Sequence, residues 1–222
     1  PLSDAGRLEA AAAGDMLSSA EFHPQIVFTS VLDRAIHTSQ IALRAIGRSW
    51  LPVHRSWRLN ERHYGALQGL DKAETSKIHG PEQVKIWRRS FDVPPPPLDA
   101  SSPMNPSSDE RYSNVEPGDL PIGESLELTR KRVMPYFQSE ILPTILSGQS
   151  PLVVAHGNSL RSIVMSLDDM TTQQVLELNI PTGIPLQYTF DDSGKVIEKS
   201  YLGDSEKVKA MIDEVANQGA AQ

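Results

Sequence analysis

The sequence predicts an α/β fold in three layers, in which a mostly parallel central sheet is flanked by helices. Two observations predict it: short apolar segments alternate with stretches of helical periodicity, and two of these segments run directly into polar residues that open a helix. The 222 residues, 39% of them hydrophobic, suffice for one core. We therefore expect residues 1–222 to form a single domain.

The first strand–helix unit follows a helix that is predicted over residues 1–20, where Ser3 is a suitable N-cap. An apolar run at 25–28 predicts a strand, and apolar residues with helical spacing follow at 35–45. Residues 30–34 join this strand to this helix and include several polar side chains.

The second unit has the same layout. Apolar residues 151–155 predict a strand, and residues 156–159, His-Gly-Asn-Ser, open the next helix. A third strand is predicted at 185–190, before a turn signal at 191–194. Parallel sheets bind ligands beyond the carboxyl ends of their strands, where helix N-termini favour anions. Residues 30–34 and 156–159 therefore predict a site at that edge.

The amino-acid composition changes at about residues 91–121, which hold eight of the 17 prolines. Such a segment cannot form a regular helix or a central strand. A domain linker is one interpretation, but the flanking segments are too short for two independent cores. We expect a Pro-rich excursion that packs on the domain and covers a site.

Composition excludes several classes of protein and site. The absence of cysteine excludes a disulfide scaffold, a thiolate nucleophile and Cys-ligated metal centres. The six histidines show no metal-ligand spacing, so we predict no metal site. No apolar run approaches the roughly 20 residues that span a bilayer, and the first residues do not resemble a signal peptide. We therefore expect a cytoplasmic protein without a membrane partner.

The distribution of charge indicates an anionic ligand, although the net charge is −7. Residues 34–89 hold eleven Lys and Arg against four Asp and Glu, while the rest of the chain is acidic. One Arg-rich segment in an acidic body favours a focused anion site over a nucleic-acid surface, which would be basic more broadly. A solvated basic face is the alternative.

A few positions carry the chemistry that such a site needs. Arg34 opens a helix beyond the first strand, and the adjacent Arg88 and Arg89 offer guanidinium forks that match phosphate or carboxylate oxygens. Glu61 lies among arginines and becomes a general acid/base if it sits beside a bound anion and partly out of water. His156 ends a strand before a glycine, which lets a ligand approach the backbone. An ordinary ion pair or a structural role is the alternative for each.

These motifs resemble those of the cofactor-dependent phosphoglycerate mutases of the histidine phosphatase superfamily. The resemblance runs over nearly the whole chain and is carried by residues 29–38, 56–69, 87–92, 155–161 and 179–185. Within them, Leu-Asn-Glu-Arg-His-Tyr-Gly and Arg-Arg-Ser-Phe-Asp are specific to the mutase branch, whereas His-Gly-Asn-Ser alone indicates only the wider superfamily. The resemblance implies a phosphoglycerate mutase-like fold and a homo-oligomer, either a dimer or a tetramer.

At the matching positions the resemblance implies a role for each residue. Arg34 would hold the transferring phosphoryl group, His156 would stabilise its transition state, and Glu61 would exchange the proton of the substrate hydroxyl. Binding of the substrate is implied for a larger set: Arg62, His63, Tyr64, Lys72, Arg88, Arg89, Gly157 and Asn158.

The activity that the resemblance implies is the glycolytic and gluconeogenic interconversion of 3-phosphoglycerate and 2-phosphoglycerate. It would proceed without a metal, through a phosphohistidine intermediate that is primed by 2,3-bisphosphoglycerate. Two alternatives stay open: a bisphosphoglycerate synthase or phosphatase of the same superfamily, and a catalytically dead phosphoglycerate-binding protein. In each case the expected partner is a small molecule.

One motif of the family does not occur in the 222 residues. Family members begin with an apolar strand that leads to Arg-His-Gly, whose histidine takes up the phosphoryl group, whereas His79 and Gly80 here follow Ile78. We expect the parent protein to carry this segment upstream of Pro1. Since the segment would supply a central strand, a chain without it is expected to have two unpaired strand edges and an open core.

Overall fold

Three parallel strands form the central sheet of the computed structural model. They are β1 (Ile26–Thr29), β2 (Val53–Arg55) and β3 (Pro151–Val154), in the spatial order β2-β1-β3. The last residues of β1 and β3, Thr29 and Val154, lie opposite each other. The α/β fold predicted from the alternation of strands and helices is confirmed. The structure describes residues 1–70 and 72–220, with the backbone alone for 72–74 and 214–220.

A second sheet is an antiparallel hairpin of β4 (Leu186–Phe190) and β5 (Val196–Tyr201). The third predicted strand therefore exists as β4, but it pairs with β5 and not with the parallel sheet. The reason is the turn between them, in which Gly194 N donates to Asp191 O at 2.9 Å. A connection this short joins only antiparallel neighbours.

Helices precede, connect and follow the strands. Ser3 caps the first of them as predicted, because its hydroxyl accepts from the backbone N–H of Gly6 at 3.1 Å. No helix of the described part of the chain is long and apolar enough to cross a bilayer. The bounds are α1 (Asp4–Ser19), α2 (Asp33–Ala45), α3 (Lys72–His79), α4 (Pro81–Arg89), α5 (Leu126–Tyr136), α6 (Leu142–Leu146), α7 (Gly157–Leu167), α8 (Thr172–Glu177) and α9 (Ser205–Ala220).

The two faces of β1 explain the three layers. Val27 is buried in one apolar cluster with Leu43 of α2. Its neighbour Phe28 is buried in a second cluster, with Val133 of α5 and Ile163 of α7. Because neighbouring residues of a strand point to opposite faces, helices have to cover both sides of the sheet.

The Pro-rich excursion packs on the domain, as the sequence predicts. Residues 92–121 form loops and short 3-10 turns. Ala66 N donates to Pro96 O at 2.8 Å, and the amide of Asn60 donates to the Tyr112 hydroxyl at 2.9 Å. The excursion therefore lies against the two sides of the segment that carries Glu61.

A cavity of about 740 Å³ is lined by β3 and β4 together, and its walls are mostly apolar. The helical side chains around it include Leu160 and Ile163 of α7. Among the described residues, β3 pairs only with β1, and β4 pairs only with β5. The cavity therefore lies between β3 and the β4–β5 hairpin, and the open core expected without the upstream strand stays a prediction.

Candidate active site

The carboxyl ends of β1 and β3 bring three polar side chains together. Ser30 directly follows β1, Arg34 lies in the first turn of α2, and His156 follows β3 as the N-cap of α7. Since the ends of the two strands are in register, residues that are more than 120 positions apart in sequence meet at one edge. The sequence predicts this edge correctly.

Ser30 and Arg34 bind the two ring nitrogens of His156. Nε2 lies 2.8 Å from the Ser30 hydroxyl, and Nδ1 accepts from Nε of Arg34 at 3.2 Å. Because the guanidinium only donates, Nδ1 has to be unprotonated and Nε2 carries the hydrogen. Burial, and after it the charges of Arg34 and Arg132, lower the pKa of His156 from 6.5 to about 3. The imidazole is therefore neutral and held in one tautomer.

The carboxylate of Glu61 lies at the N-terminus of α7, beside His156. Its Oε1 accepts from the backbone N–H of Arg62 at 2.8 Å and from that of Asn158, in the first turn of the helix, at 3.2 Å. A Cβ added to Gly157 would meet Oε2 at 3.8 Å, an ordinary van der Waals contact, so the approach of Glu61 does not require a glycine at this position. The helix end favours a carboxylate through its free N–H groups and its dipole.

Tyr64 and Asn158 extend the site away from His156. The Asn158 amide donates to the Tyr64 hydroxyl at 3.3 Å, while its oxygen accepts from Arg161 at 3.4 Å. The guanidinium carbons of Arg62 and Arg88 lie 5.2 and 5.5 Å from the centre of the Tyr64 ring, which is cation–π distance. These contacts gather positive charge on one side of the Glu61 carboxylate.

Arg62 is only 3% exposed, and its guanidinium bonds backbone carbonyls. It donates to Glu124 O at 2.6 Å, to Trp87 O, and to Arg88 O at 3.5 Å. Burial is the main reason why the pKa of Arg62 is lowered. Arg62 thus ties the Glu61 loop to the end of α4, and its substrate-binding role stays a prediction.

The last turn of α4 carries both predicted anion ligands, Arg88 and Arg89. Nε of Arg88 is buried and has no hydrogen-bond partner among the described residues. Arg89 lies close enough to the buried Arg161 to contribute to the lowering of its pKa, after the larger effect of burial. The C-terminal end of α4 therefore lies beside the Glu61 loop, to which Arg62 connects it.

Of the two remaining predicted ligands, the structure describes the side chain of His63 alone. The ring of His63 accepts from the backbone N–H of Gly65 at 3.0 Å, within its own loop, and burial lowers its pKa. The side chain of Lys72 lies outside the described residues. Binding of substrate by either residue stays a prediction.

Sequence reasoning missed four residues of the site: Ser30, Glu124, Arg132 and Arg161. Ser30 has a detectable signal, since it directly follows a predicted strand in the same loop as Arg34. Arg161 lies one helical turn beyond Asn158 and faces the same way. Glu124 and Arg132 have no comparable signal, because they contact the Glu61 loop from a distant part of the chain.

The chain is similar to known proteins over most of its length. The family model of the histidine phosphatase superfamily (branch 1) matches residues 1–202. Similar solved structures include YhfR of Bacillus stearothermophilus, with a TM-score of 0.65, 20% identity, and coverage of 88% of this chain and 81% of that chain.

Two further structures are named as phosphatases. The α-ribazole phosphatase of Shigella flexneri has a TM-score of 0.64 and 17% identity, with 92% of this chain and 84% of that chain covered. The mycobacterial glucosyl-3-phosphoglycerate phosphatase in complex with VO3 has a TM-score of 0.60 and 22% identity, with 90% and 85% covered. At these sequence identities the structural similarity shows a shared fold and nothing about the substrate.

Proposed function

The chain belongs to branch 1 of the histidine phosphatase superfamily, and we propose that it acts there as a phosphoglycerate mutase. It interconverts 3-phosphoglycerate and 2-phosphoglycerate and is primed by 2,3-bisphosphoglycerate. One observation carries the proposal: the Glu61 carboxylate accepts from the backbone N–H of Asn158 at the helix end that His156 caps, whereas the His156 ring is bound by Arg34. The site thus offers an acid/base separate from the groups that would face the phosphoryl group.

In the proposed reaction, Arg34 and His156 bind the oxygens of the transferring phosphoryl group. The guanidinium supplies a fixed charge in a buried site, where such contacts stabilise developing charge well. The single N–H of the neutral imidazole, on Nε2, faces the Ser30 hydroxyl, so His156 would donate to a phosphoryl oxygen through Nδ1 once the ring takes up a proton. Ser30 holds the ring in the tautomer that has its hydrogen on Nε2. A phosphoryl dianion beside His156 would counter the effect of Arg34 and raise the pKa of the imidazole.

Glu61 would move the proton. When the substrate hydroxyl attacks phosphorus, its oxygen forms the new O–P bond, the bond from phosphorus to the histidine nitrogen breaks, and the hydroxyl proton passes to the Glu61 carboxylate. The phosphorylated histidine is the one that the resemblance predicts upstream of Pro1. When the other phosphoryl group returns to that histidine, Glu61 gives its proton back to the oxygen that is set free.

The arginine-rich side of the site fits the remaining anionic groups of the substrate. Nε of Arg88 is a buried donor without a partner among the described residues, and a carboxylate or phosphate oxygen would satisfy it. The Tyr64 ring lies 5.5 Å from the Arg88 guanidinium carbon, and the Asn158 amide donates to the Tyr64 hydroxyl. The charge of 2,3-bisphosphoglycerate requires several such donors, so the residues present fit this primer.

We propose a pulse–chase experiment on protein expressed from the complete gene. Labelled 2,3-bisphosphoglycerate is added, acid-labile label on the protein is measured, and unlabelled 3-phosphoglycerate is then supplied. The mutase predicts capture of label and its discharge to the phosphoglycerate. Discharge mainly to water would indicate a phosphatase, and bisphosphoglycerate binding without capture would indicate a catalytically dead protein.

The role of Glu61 has its own test. Glu61→Gln keeps the size and the hydrogen-bonding oxygen of the side chain but removes the acid/base, so kcat should fall roughly 100- to 10,000-fold. KM should change little, because the arginines that would bind the substrate are retained. Glu116→Gln, on an exposed residue of the excursion, is the matched control. Equal losses in kcat and in binding would mean that Glu61 only positions the arginines.

The cytoplasmic location and the homo-oligomeric state that the resemblance implies remain part of this proposal. Both are open to direct measurement, by fractionation of cells and by light scattering of the purified protein.

A further inference from the structure

Arg132 of α5 binds the backbone of the loop that carries Glu61. Its Nη2 donates to the carbonyl oxygens of Asn60 at 3.1 Å and Glu61 at 3.2 Å, and its Nη1 donates to that of Arg58 at 2.7 Å. Nη1 also donates to Trp57 O at 3.4 Å, so a single guanidinium contacts four carbonyls within five consecutive residues. Such an arrangement holds the path of the backbone around Glu61 and not its carboxylate.

Glu124 binds the same guanidinium and also contacts the loop, at His63. Its carboxylate accepts from Nε of Arg132 at 2.6 Å and from Nη2 at 2.9 Å. The same carboxylate accepts from His63 N at 2.8 Å, and Glu124 N donates to His63 O at 2.8 Å. The two side chains are 8% and 4% exposed, so the ion pair is shielded from water and from salt.

We infer that the Glu124–Arg132 pair positions Glu61 for proton transfer, without itself touching the substrate. The pair fixes the backbone on both sides of Arg62, and the carboxylate of Glu61 then reaches the N–H of Asn158 at the end of α7. This inference rests on the proposed function, because it assumes that Glu61 exchanges a proton with the substrate.

The contacts of the pair favour positioning over a purely structural role. A buried ion pair often adds little net stability, because the desolvation of both charges offsets their attraction. Here the donors of the guanidinium go to carbonyls of one loop and not to distant parts of the core. The charge of Arg132 also reaches the other side of the site, where it contributes to the low pKa of His156.

The first test is Arg132→Lys, which keeps the charge but loses the planar fork that reaches several carbonyls at once. In protein from the complete gene, kcat for 3-phosphoglycerate should fall roughly 10- to 100-fold, because small displacements of a catalytic group have effects of this size. KM should stay within about twofold. The matched control is Arg130→Lys on the same helix, where the guanidinium bonds Ser166 at 2.9 Å, and its kcat should be unchanged.

A double-mutant cycle separates positioning from stability. If Arg132 acts through Glu61, Arg132→Lys should cause almost no further loss of kcat in a Glu61→Gln background. A residue that only stabilises the fold would lower the activity by the same factor in both backgrounds. An undiminished loss in the Glu61→Gln background would therefore overturn the inference.

A readout that needs no activity keeps this inference distinct from the proposed function. The amides of Arg62 and Asn158 donate to the Glu61 carboxylate, so their hydrogen exchange should accelerate in Arg132→Lys but not in Arg130→Lys. Wild-type protein that does not interconvert phosphoglycerates would refute the proposed function, while faster exchange would still support the positioning of Glu61. Unchanged exchange in Arg132→Lys would overturn the positioning.

A second variant covers the case in which Arg132→Lys does not fold. Glu124→Gln keeps an oxygen for the backbone N–H of His63 but removes the charge that orients Arg132. Glu124→Gln should lower kcat and accelerate the hydrogen exchange of the Arg62 and Asn158 amides, as Arg132→Lys does, but by smaller factors. Wild-type values for both in a folded Glu124→Gln protein would also overturn the inference.

Discussion

The carboxyl end of β3 and the outer edge of the same strand differ in how they are completed. Beyond the carboxyl end, His156 is held by Ser30 and Arg34, and polar contacts from several elements close the site. Along the outer edge lies the cavity of about 740 Å³, with β4 on its other wall. A polar side chain can be satisfied by a single hydrogen-bond partner. The edge of a strand, in contrast, needs a whole neighbouring strand to satisfy its row of backbone N–H and C=O groups. One strand therefore borders a hydrogen-bonded polar site at its carboxyl end and an apolar cavity along its outer edge.

The strongest test of this comparison uses the same substitution in both regions. Leu59 is fully buried in the cluster around Phe28, whereas Leu186 lines the cavity. In the 222-residue chain, Leu59→Ala should lower the free energy of unfolding by about 2–5 kcal/mol. Leu186→Ala should cost less than about 1.5 kcal/mol, because its side chain is only partly buried. Urea denaturation of both variants measures the difference.

The same pair of variants also tests the segment that is expected upstream of Pro1. A strand between β3 and β4 would bury Leu186, so in the parent protein the cost of Leu186→Ala should rise towards that of Leu59→Ala. A low cost in the parent protein would mean that the upstream residues do not fill the cavity. Equal costs already in the 222-residue chain would contradict the open core.

The second prediction concerns the polar site at the carboxyl end of β3, where His156 should make the stability depend on pH. His156 has a pKa of about 3 when folded and an ordinary value near 6.5 when unfolded. The unfolded state therefore takes up the proton first as the pH falls, and stability is lost through the window between these values. Between pH 7 and pH 5 the loss due to His156 should be about 2 kcal/mol.

Denaturation in phosphate-free buffer at pH 7 and pH 5 measures this loss, since bound phosphate would change the pKa. His156→Gln removes the titrating group and leaves the other histidines in place. The variant should lose about 2 kcal/mol less than the wild type between the two pH values. Identical losses would mean that the imidazole is not buried and neutral as described.

The smallest expected effect comes from the contact between the site and the excursion. Tyr112→Phe removes the hydroxyl that accepts from the Asn60 amide but leaves the buried ring. The free energy of unfolding should fall by about 1 kcal/mol, the usual net contribution of one hydrogen bond. Thermal unfolding measures it. A change in kcat without a change in stability would show instead that the hydroxyl acts on Glu61 through the loop.

The strands and helices that carry the site could be predicted because their signals are local. The apolar runs at 25–28 and 151–155 and the helical spacing after them depend only on neighbouring residues. The edge shared by Ser30 and His156 also follows, since parallel strands place their carboxyl ends together. The mutase assignment came from the resemblance, and the superfamily is the part of it that the comparisons show.

The partner of β4 was not predictable in the same way. The apolar run at 185–190 is compatible with a parallel or an antiparallel strand, and the short turn that follows favours β5. The cavity depends on two strands that are distant in sequence. Such features follow from how complete elements pack, and not from the pattern within one of them.

By itself the sequence determined the alternation of strands and helices and the edge of the sheet at which Arg34 and His156 meet. Only the tertiary structure decided which groups hold Glu61 in place, because Glu124 and Arg132 are more than 60 residues away along the chain. Their contacts are to backbone carbonyls and N–H groups, which every residue possesses. Such a contact does not require any particular residue type in the loop, so the sequence cannot predict it and only the folded structure shows it.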